Sequence, residues 1–350
     1  MVLNHTALKE NWFTGSKTLF NSNGITVGFE LEVLHDRNLQ QLNNCVFNDD
    51  EHRHIMENYF SFKYDGSIRG YGSEIVSRPL SNDNIIYALK NLTLFLKLNK
   101  MRSGTSCGFH IHYGGDLIKY NKMNQHKILL TSVIYKNILR QLLPRHRQNN
   151  RFCSFRQLNA SHSLFRKEIA EQPEEFFNRS GNYNSHINRY QYVNFRSLSK
   201  FGTIEFRCFQ SSTSYDTLLN SFKTGFAVID FSCNNSYDII SRLDGSVPEF
   251  LDFVVRDKNL ARWGEKKIAR YGTLTYSTFR EELNNELNRR IKPRVVMCGK
   301  TISLTPVVEK EIYVPELLDF IPKEFYRKQV RLDKLDDFPL LNKWVEGVVM

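Results

Sequence analysis

Three short segments, far apart in the chain, alternate large apolar residues with chemically reactive ones. In Gly28-Phe29-Glu30-Leu31-Glu32-Val33 two carboxylates stand between Phe29, Leu31 and Val33. Two imidazoles take the same places in Gly108-Phe109-His110-Ile111-His112-Tyr113, and a carboxylate and a guanidinium do so in Thr203-Ile204-Glu205-Phe206-Arg207-Cys208. Residues two apart in a strand project to one side, so each segment predicts a β-strand with an apolar face and a reactive one. Glu74, Val76 and Arg78 continue the pattern in Gly72 to Arg78, as do Tyr190, Tyr192, Asn194 and Arg196. A half-solvated antiparallel sheet gives the same alternation but draws its wet face from Lys, Thr, Ser and Gln. These faces hold Glu, His, Asn and Arg and no Lys. Carboxylates side by side in a sheet repel unless a cation joins them, so the polar faces predict a concave site for divalent metal and phosphate.

Ligand hardness narrows the metal. Glu30, Glu32, Glu74 and Glu205 supply oxygen ligands suited to magnesium or manganese, while His110 or His112 serves as a nitrogen ligand or a phosphate donor. Zinc or iron is the alternative. A second H-x-H, His52 and His54, lies in the charged stretch from Asn48 to Glu57 and predicts a solvated surface. The chain has no G-x-x-x-x-G-K-[ST] loop, no G-x-S-x-G elbow and no Rossmann glycine triplet, so any nucleotide is held by metal, arginines and backbone.

A net charge of +11 and a pI near 9.3 imply an anionic partner: nucleotide, nucleic acid or an acidic polymer. The excess is concentrated between Lys136 and Lys200, where Arg140, Arg145, Arg147, Arg151, Arg189 and Arg196 stand among other arginines. The six cysteines form no C-x-x-C pair and predict reduced thiols, three of them in strongly apolar or aromatic stretches where a cysteine serves as a small buried residue. The first twenty residues are too mixed for a signal peptide, and the most apolar windows fall short of a membrane span. The expectation is a cytoplasmic protein.

Helical periodicity marks three segments. Ile85, Leu89, Leu92 and Leu96 follow a cap at Ser81 or Asn82; Leu130, Ile134, Ile138 and Leu142 lie in Asn124 to Leu142; Leu218, Leu219, Phe222, Phe226 and Ile229 lie in Tyr215 to Phe231. Strands are expected at Ile25 to Leu34, Phe60 to Tyr64, Gly72 to Arg78, Ser106 to Tyr113, Tyr190 to Phe195 and Gly202 to Phe209. This order predicts an α+β fold, a mainly antiparallel curved sheet with helices on one side. A polar bend at Asn234-Asn235-Ser236 divides a catalytic domain, 1–235, from a C-terminal extension, 236–350, packed on it. In the extension a helix around Ser277 to Arg290 and strands at Val295 to Met297 and Thr301 to Leu304 are expected.

Taken in order, Gly28-Phe29-Glu30-Leu31-Glu32, Asp65-Gly66-Ser67, Glu74 to Leu80, Cys107 to His112, Tyr192-Val193-Asn194-Phe195 and Thr203 to Arg207 resemble the amidoligase family. That family belongs with glutamine synthetase and glutamate-cysteine ligase among the carboxylate-amine ligases. The resemblance runs from about Ile25 to Phe231 and leaves the C-terminal third uncovered. It implies a glutamine-synthetase-like sheet curled into a funnel that holds ATP and Mg²⁺, with Mn²⁺ as an alternative. It also implies an ATP-dependent ligase that joins a carboxylate to an amine, free or on a peptide or protein, through an acyl-phosphate. On this resemblance Glu30, Glu32, Glu74 and Glu205 are metal ligands, and His110 and His112 lie near metal and phosphate. Arg207 meets the transferring phosphate, and Arg189 and Asn194 lie near substrate or nucleotide. Asp65 is the candidate for orienting or deprotonating the amine, against a simple turn in D-G-S. Family members occur in viral and mobile gene sets, which suggests a phage association. Two other readings stand beside the ligase. One is a guanidino-kinase-like phosphotransferase; the other is a nucleic-acid- or virion-associated binding protein using the basic 136–200 region, against which the carboxylate face would repel phosphate.

Overall fold

The alternating segments do form strands, and every pairing between them is antiparallel. The computed structural model describes residues 24–36, 45–155, 189–241, 243–272, 278–279 and 281–282, with the backbone of 294–298 and 301–305. Its main sheet comprises β1 (Thr26–Leu34), β2 (Phe60–Lys63), β3 (Gly72–Ser77), β4 (Gly108–Gly114), β5 (Val193–Asn194) and β6 (Ile204–Gln210), in the order β2-β3-β1-β4-β6-β5. The strands with the strongest alternation are therefore the central ones. The sheet is open and not strongly curled, so the expected funnel is instead an open face. β5 has only two paired residues, too short an edge to close against β2.

One face is sealed with hydrocarbon. Phe29, Leu31, Val33, Ile75, Phe109, Ile111, Phe206 and Phe209 are buried together with the apolar stripes of α2 (Asn82–Leu98) and α8 (Tyr215–Asn234). α1 (Asp50–Tyr59) begins at an Asp49 cap whose carboxylate accepts the His52 N–H at 2.7 Å. After β4 come α3 (Asp116–Lys119), α4 (Lys122–Ile134), α5 (Lys136–Gln141) and α6 (Arg145–Gln148). α7 (Ser197–Phe201) joins β5 to β6, and α9 (Tyr237–Ser241), α10 (Val247–Glu249), a π-helical turn (Phe250–Val255) and α11 (Lys258–Tyr271) follow α8. Beyond the bend at Asn235, Ile240, Phe250, Leu251, Val254 and Leu260 are buried in the same core as the sheet. β7 (Arg294–Cys298) and β8 (Thr301–Thr305) form a separate antiparallel pair. The helix expected around Ser277 to Arg290 falls mostly outside the described residues.

Three expectations are corrected. Asn124 to Leu142 is two helices, because Tyr135 leaves helical geometry (ψ 15°) and donates its hydroxyl to Glu249 Oε1 at 2.6 Å. His52 and His54 lie on α1, and the expected solvated surface holds for only one of them. His52 is buried, with Nε2 3.0 Å from Asn91 O and Nδ1 accepting Asn48 N–H, and only His54 is exposed. Tyr192 does not share the reactive face with Asn194, since its hydroxyl donates to Ser132 O on the helical side and its ring stacks on Phe155. Among the described cysteines, Cys45, Cys107, Cys153 and Cys208 are buried free thiols and Cys233 is a half-buried one; burial pushes Cys45 up to about 11.

Helix α8 meets the sheet at Tyr113, whose ring stacks on Phe222 and whose hydroxyl donates to Phe222 O at 2.6 Å. Gly225 makes this approach possible: a Cβ there would stand 2.6 Å from the Tyr113 oxygen. Alanine gains about 1 kcal/mol of helix propensity over glycine, but forcing a methyl into a packed core costs roughly 1–3 kcal/mol. Gly225→Ala is therefore expected to lower unfolding free energy in urea titration, and Tyr113→Phe in the same chain to recover part of the loss. A Gly225→Ala protein more stable than the parent would refute this packing.

Candidate functional site

Strand register brings the reactive residues together. Glu30 pairs with Val76 on one side and His110 on the other, Glu32 with Glu74, and His112 with both Gly28 and Glu205. Asn194 pairs with Glu205 from the far side. Glu32, His110 and Glu205 are each only 4% exposed, so their charges sit in partly dehydrated surroundings.

The contacts are close. His110 Nδ1 lies 3.2 Å from Glu30 Oε2 and 3.7 Å from Glu205 Oε1, and His110 Nε2 lies 3.8 Å from Glu32 Oε1. Glu32 Oε2 accepts the Gly108 N–H at 2.5 Å. Glu205 accepts from Arg207 Nη1 and, at 2.7 Å, from Asn194 Nδ2. His112 Nδ1 lies 3.0 Å from Thr203 Oγ1, while Nε2 is 3.5 Å from Glu30 Oε1 and 3.9 Å from Glu205 Oε1. That Nε2 is buried and makes no hydrogen bond among the described residues, an arrangement that costs free energy unless a cation meets its lone pair or an acceptor its proton.

A divalent cation fits that atom. Among the described residues, three sets of side chains bring one ligand atom from each residue within 4.8 Å of one another: Glu30, His112 and Glu205; Glu30, Glu74 and His110; and Glu32, Asp65 and Glu74. Oxygen-rich sets with one imidazole suit magnesium or manganese. Asp65 forms the turn that D-G-S implies, its Oδ1 accepting Ser67 N–H at 2.7 Å, and its carboxylate still joins the third set.

Electrostatics separates the carboxylates. Burial opposes ionisation of Glu30, but the adjacent His110 and His112 imidazoles hold it below the ordinary carboxylate range. Burial, with repulsion from Glu30, Asp65 and Glu32, pushes Glu74 up to about 8.

The other expected residues divide. Arg207 joins the cluster through Glu205, and its Nε donates to Phe152 O at 3.3 Å. Asn194 orients Glu205 and accepts the Arg196 N–H, so both ends of its amide are used. Arg189 is exposed and lies over the Tyr190 ring, 4.8 Å from its centroid. Much of the basic stretch, 156–188, lies outside the described residues.

Arg147 is the residue that charge counting along the sequence missed. It is 2% exposed, donating from Nη2 to Arg207 O at 2.6 Å and from Nε to Cys208 O at 3.3 Å. Those carbonyls belong to a bulge: Phe109 pairs with Phe209 but Ile111 with Phe206, so Arg207 and Cys208 both stand opposite His110. Arg147 thus fastens the backbone from which Arg207 projects. It lies close over Gly108, where a Cβ would be 2.8 Å from His110 Nε2 and 3.0 Å from Arg147 Nη2. The glycine before F-H-I-H was the available signal.

An open antiparallel sheet, helices on one face and a carboxylate–imidazole–guanidinium cluster on the other, defines an α+β protein with a metal-competent site. The family described as "Putative amidoligase enzyme" matches residues 47–228, and the chain belongs to this family of carboxylate-amine ligases. The match begins after β1, so Glu30 and Glu32 lie outside it and are tied to it by strand register. No curated protein matches the chain in sequence. Among solved structures, the bifunctional glutathione synthetase from Pasteurella multocida is similar with a TM-score of 0.36 and 10% identity, over 76% of this chain and 49% of that one. The chain thus spans about half the length of that protein. No helix among the described residues is long and apolar enough to cross a membrane.

Glu74 supplies a test of the cluster without any assay of activity. A carboxyl raised from 4.5 to about 8 holds its proton more tightly in the folded state, so its contribution to stability falls as pH rises through that interval. Glu30, held low, is ionised throughout the upper part of the interval and adds no slope there. Without metal, the melting temperature is expected to drop between pH 5 and pH 8.5 more steeply in the parent than in Glu74→Gln. Mg²⁺ or Mn²⁺ at pH 8.5 should restore several degrees to the parent and less to the variant. Equal slopes and equal metal responses would remove Glu74 from the cluster.

Proposed function

We propose that this protein is an ATP- and Mg²⁺-dependent ligase that joins a carboxylate to an amine through an acyl-phosphate. Family membership supports the reaction class, and the buried, unbonded His112 Nε2 facing two carboxylates supports a metal-dependent form of it. Glu30, Glu205 and His112, with His110, Glu74, Glu32 and Asp65, would hold divalent cations, which when bound neutralise phosphoryl oxygens. The neighbours Glu32 and Glu74 favour ligation over amine deprotonation as the role of Asp65.

The chain's own residues supply orientation and charge. Glu205 and Phe152 O fix two nitrogens of Arg207, leaving Nη2 without a protein acceptor among the described residues. That edge suits the phosphoryl group in transit. A carboxylate oxygen of the substrate attacks the γ-phosphorus and ADP leaves. The amine nitrogen then attacks the acyl carbon, phosphate departs with the original carboxylate oxygen, and the amine loses a proton. His110, which lies within 3.8 Å of Glu30, Glu32 and Glu205, would hold the phosphoryl oxygens or a metal.

The oxygen balance gives the decisive experiment. With ¹⁸O-labelled carboxylate, amine-stimulated ATP turnover should release phosphate carrying one ¹⁸O. Unlabelled phosphate, or a stable phosphorylated product as from a kinase, would sink the ligase reading.

Two variants test the site. Glu30→Gln should abolish ATP turnover while leaving the fold intact, because it removes a shared ligand and relieves repulsion. Arg207→Lys keeps the charge but loses the planar fork, and should cut kcat on the order of 10²-fold or more at little change in melting temperature. Lower stability with unimpaired single-turnover transfer would make Arg207 a structural ion pair.

A further inference from the structure

Beside the carboxylate face, α5, α6 and the turn Arg151–Cys153 border a cavity of about 560 Å³. Its charged lining is Lys136, Arg140, Arg151 and Glu282. Glu282 is already engaged, with Lys136 Nζ 3.2 Å from Oε2 and Asn137 Nδ2 donating to Oε1 at 2.8 Å. Arg140 donates from Nη2 to Asn149 Oδ1 at 2.7 Å, while its buried Nε has no hydrogen-bond partner among the described residues. Arg151 lies over the Phe152 ring, 4.7 Å from its centroid. Among the described residues neither guanidinium has a carboxylate partner, so three cations and one carboxylate leave two positive charges uncompensated on a concave wall.

We infer that this cavity binds a small oxyanion ligand carrying two or more negative charges. Its volume falls in the usual small-molecule range of about 300–1,000 Å³. Guanidinium groups take carboxylate or phosphate oxygens in paired hydrogen bonds, and Arg140 and Arg151 both line this cavity. The site is distinct from the metal-competent cluster but shares a wall with it. Arg151 and Ser154 line the cavity, and the carbonyl of Phe152 between them accepts from Arg207 Nε. The inference does not depend on the ligase reading, because binding is measured without turnover.

Isothermal titration with glutarate and with pyrophosphate, each in EDTA to keep metal out of the carboxylate cluster, tests it. At least one should bind the intact chain, more weakly as salt rises, and the preferred probe identifies the ligand as dicarboxylate or phosphate. The double variant Arg140→Gln/Arg151→Gln should weaken binding roughly tenfold or more. Lys97→Gln/Lys100→Gln, which removes the same charge elsewhere, should not. Where the first double variant fails to fold, Arg151→Gln alone, at an exposed side chain, should still weaken binding about threefold or more. Absence of binding by both probes, or equal loss in the control variant, would overturn the site whatever the labelled-oxygen experiment gives.

Discussion

Glu30, Glu32 and Glu74 stand together on a sheet whose other side is closed by Phe29, Leu31 and Ile75, and a turn brings Asp65 beside Glu32 and Glu74. Burial, together with repulsion among these carboxylates, pushes Glu74 up to about 8. The surrounding structure answers this charge. His110 and His112 are aligned by register with Glu30 and Glu205, Gly108 donates its backbone N–H to Glu32, and Arg207 is paired with Glu205. What remains uncompensated is negative charge of the kind divalent cations neutralise.

The second constraint is positional. The bulge in β6 sets Arg207 and Cys208 opposite His110, and Arg147 secures it with hydrogen bonds to both carbonyls. Gly108 allows the Arg147 guanidinium and the His110 ring to crowd over its α-carbon.

The paired residues of β1, β4 and β6 were legible because alternation is a local property: a side chain's face follows from its place in the strand. Glu30, Glu32, His110, His112, Glu205 and Arg207 accordingly fall on one face. Reading the charged stretch from Asn48 to Glu57 as solvated surface failed for His52, which lies on α1 as a core residue with Nε2 3.0 Å from Asn91 O. Alternation failed where the strand was short. Tyr192 precedes a strand of two residues, too short to carry parity back to it, and points to the helices. Periodicity across Asn124 to Leu142 concealed a break, because the Tyr135–Glu249 hydrogen bond that accompanies it joins residues distant in sequence.

By itself the sequence determined the strands, their two faces and the chemical types on the reactive one, since these follow from the two-residue repeat and from side-chain chemistry. Tertiary structure alone decided which reactive residues meet. Strand order set Glu30 between Val76 and His110, and a turn delivered Asp65 to Glu32 and Glu74. It also converted Arg147 from one arginine in a basic stretch into the brace of the β6 bulge, and left Arg189 on Tyr190. The physical reason is range: alternation is written between residues two apart, whereas charge pairing across strands depends on register, on bulges and on which segments the core draws together.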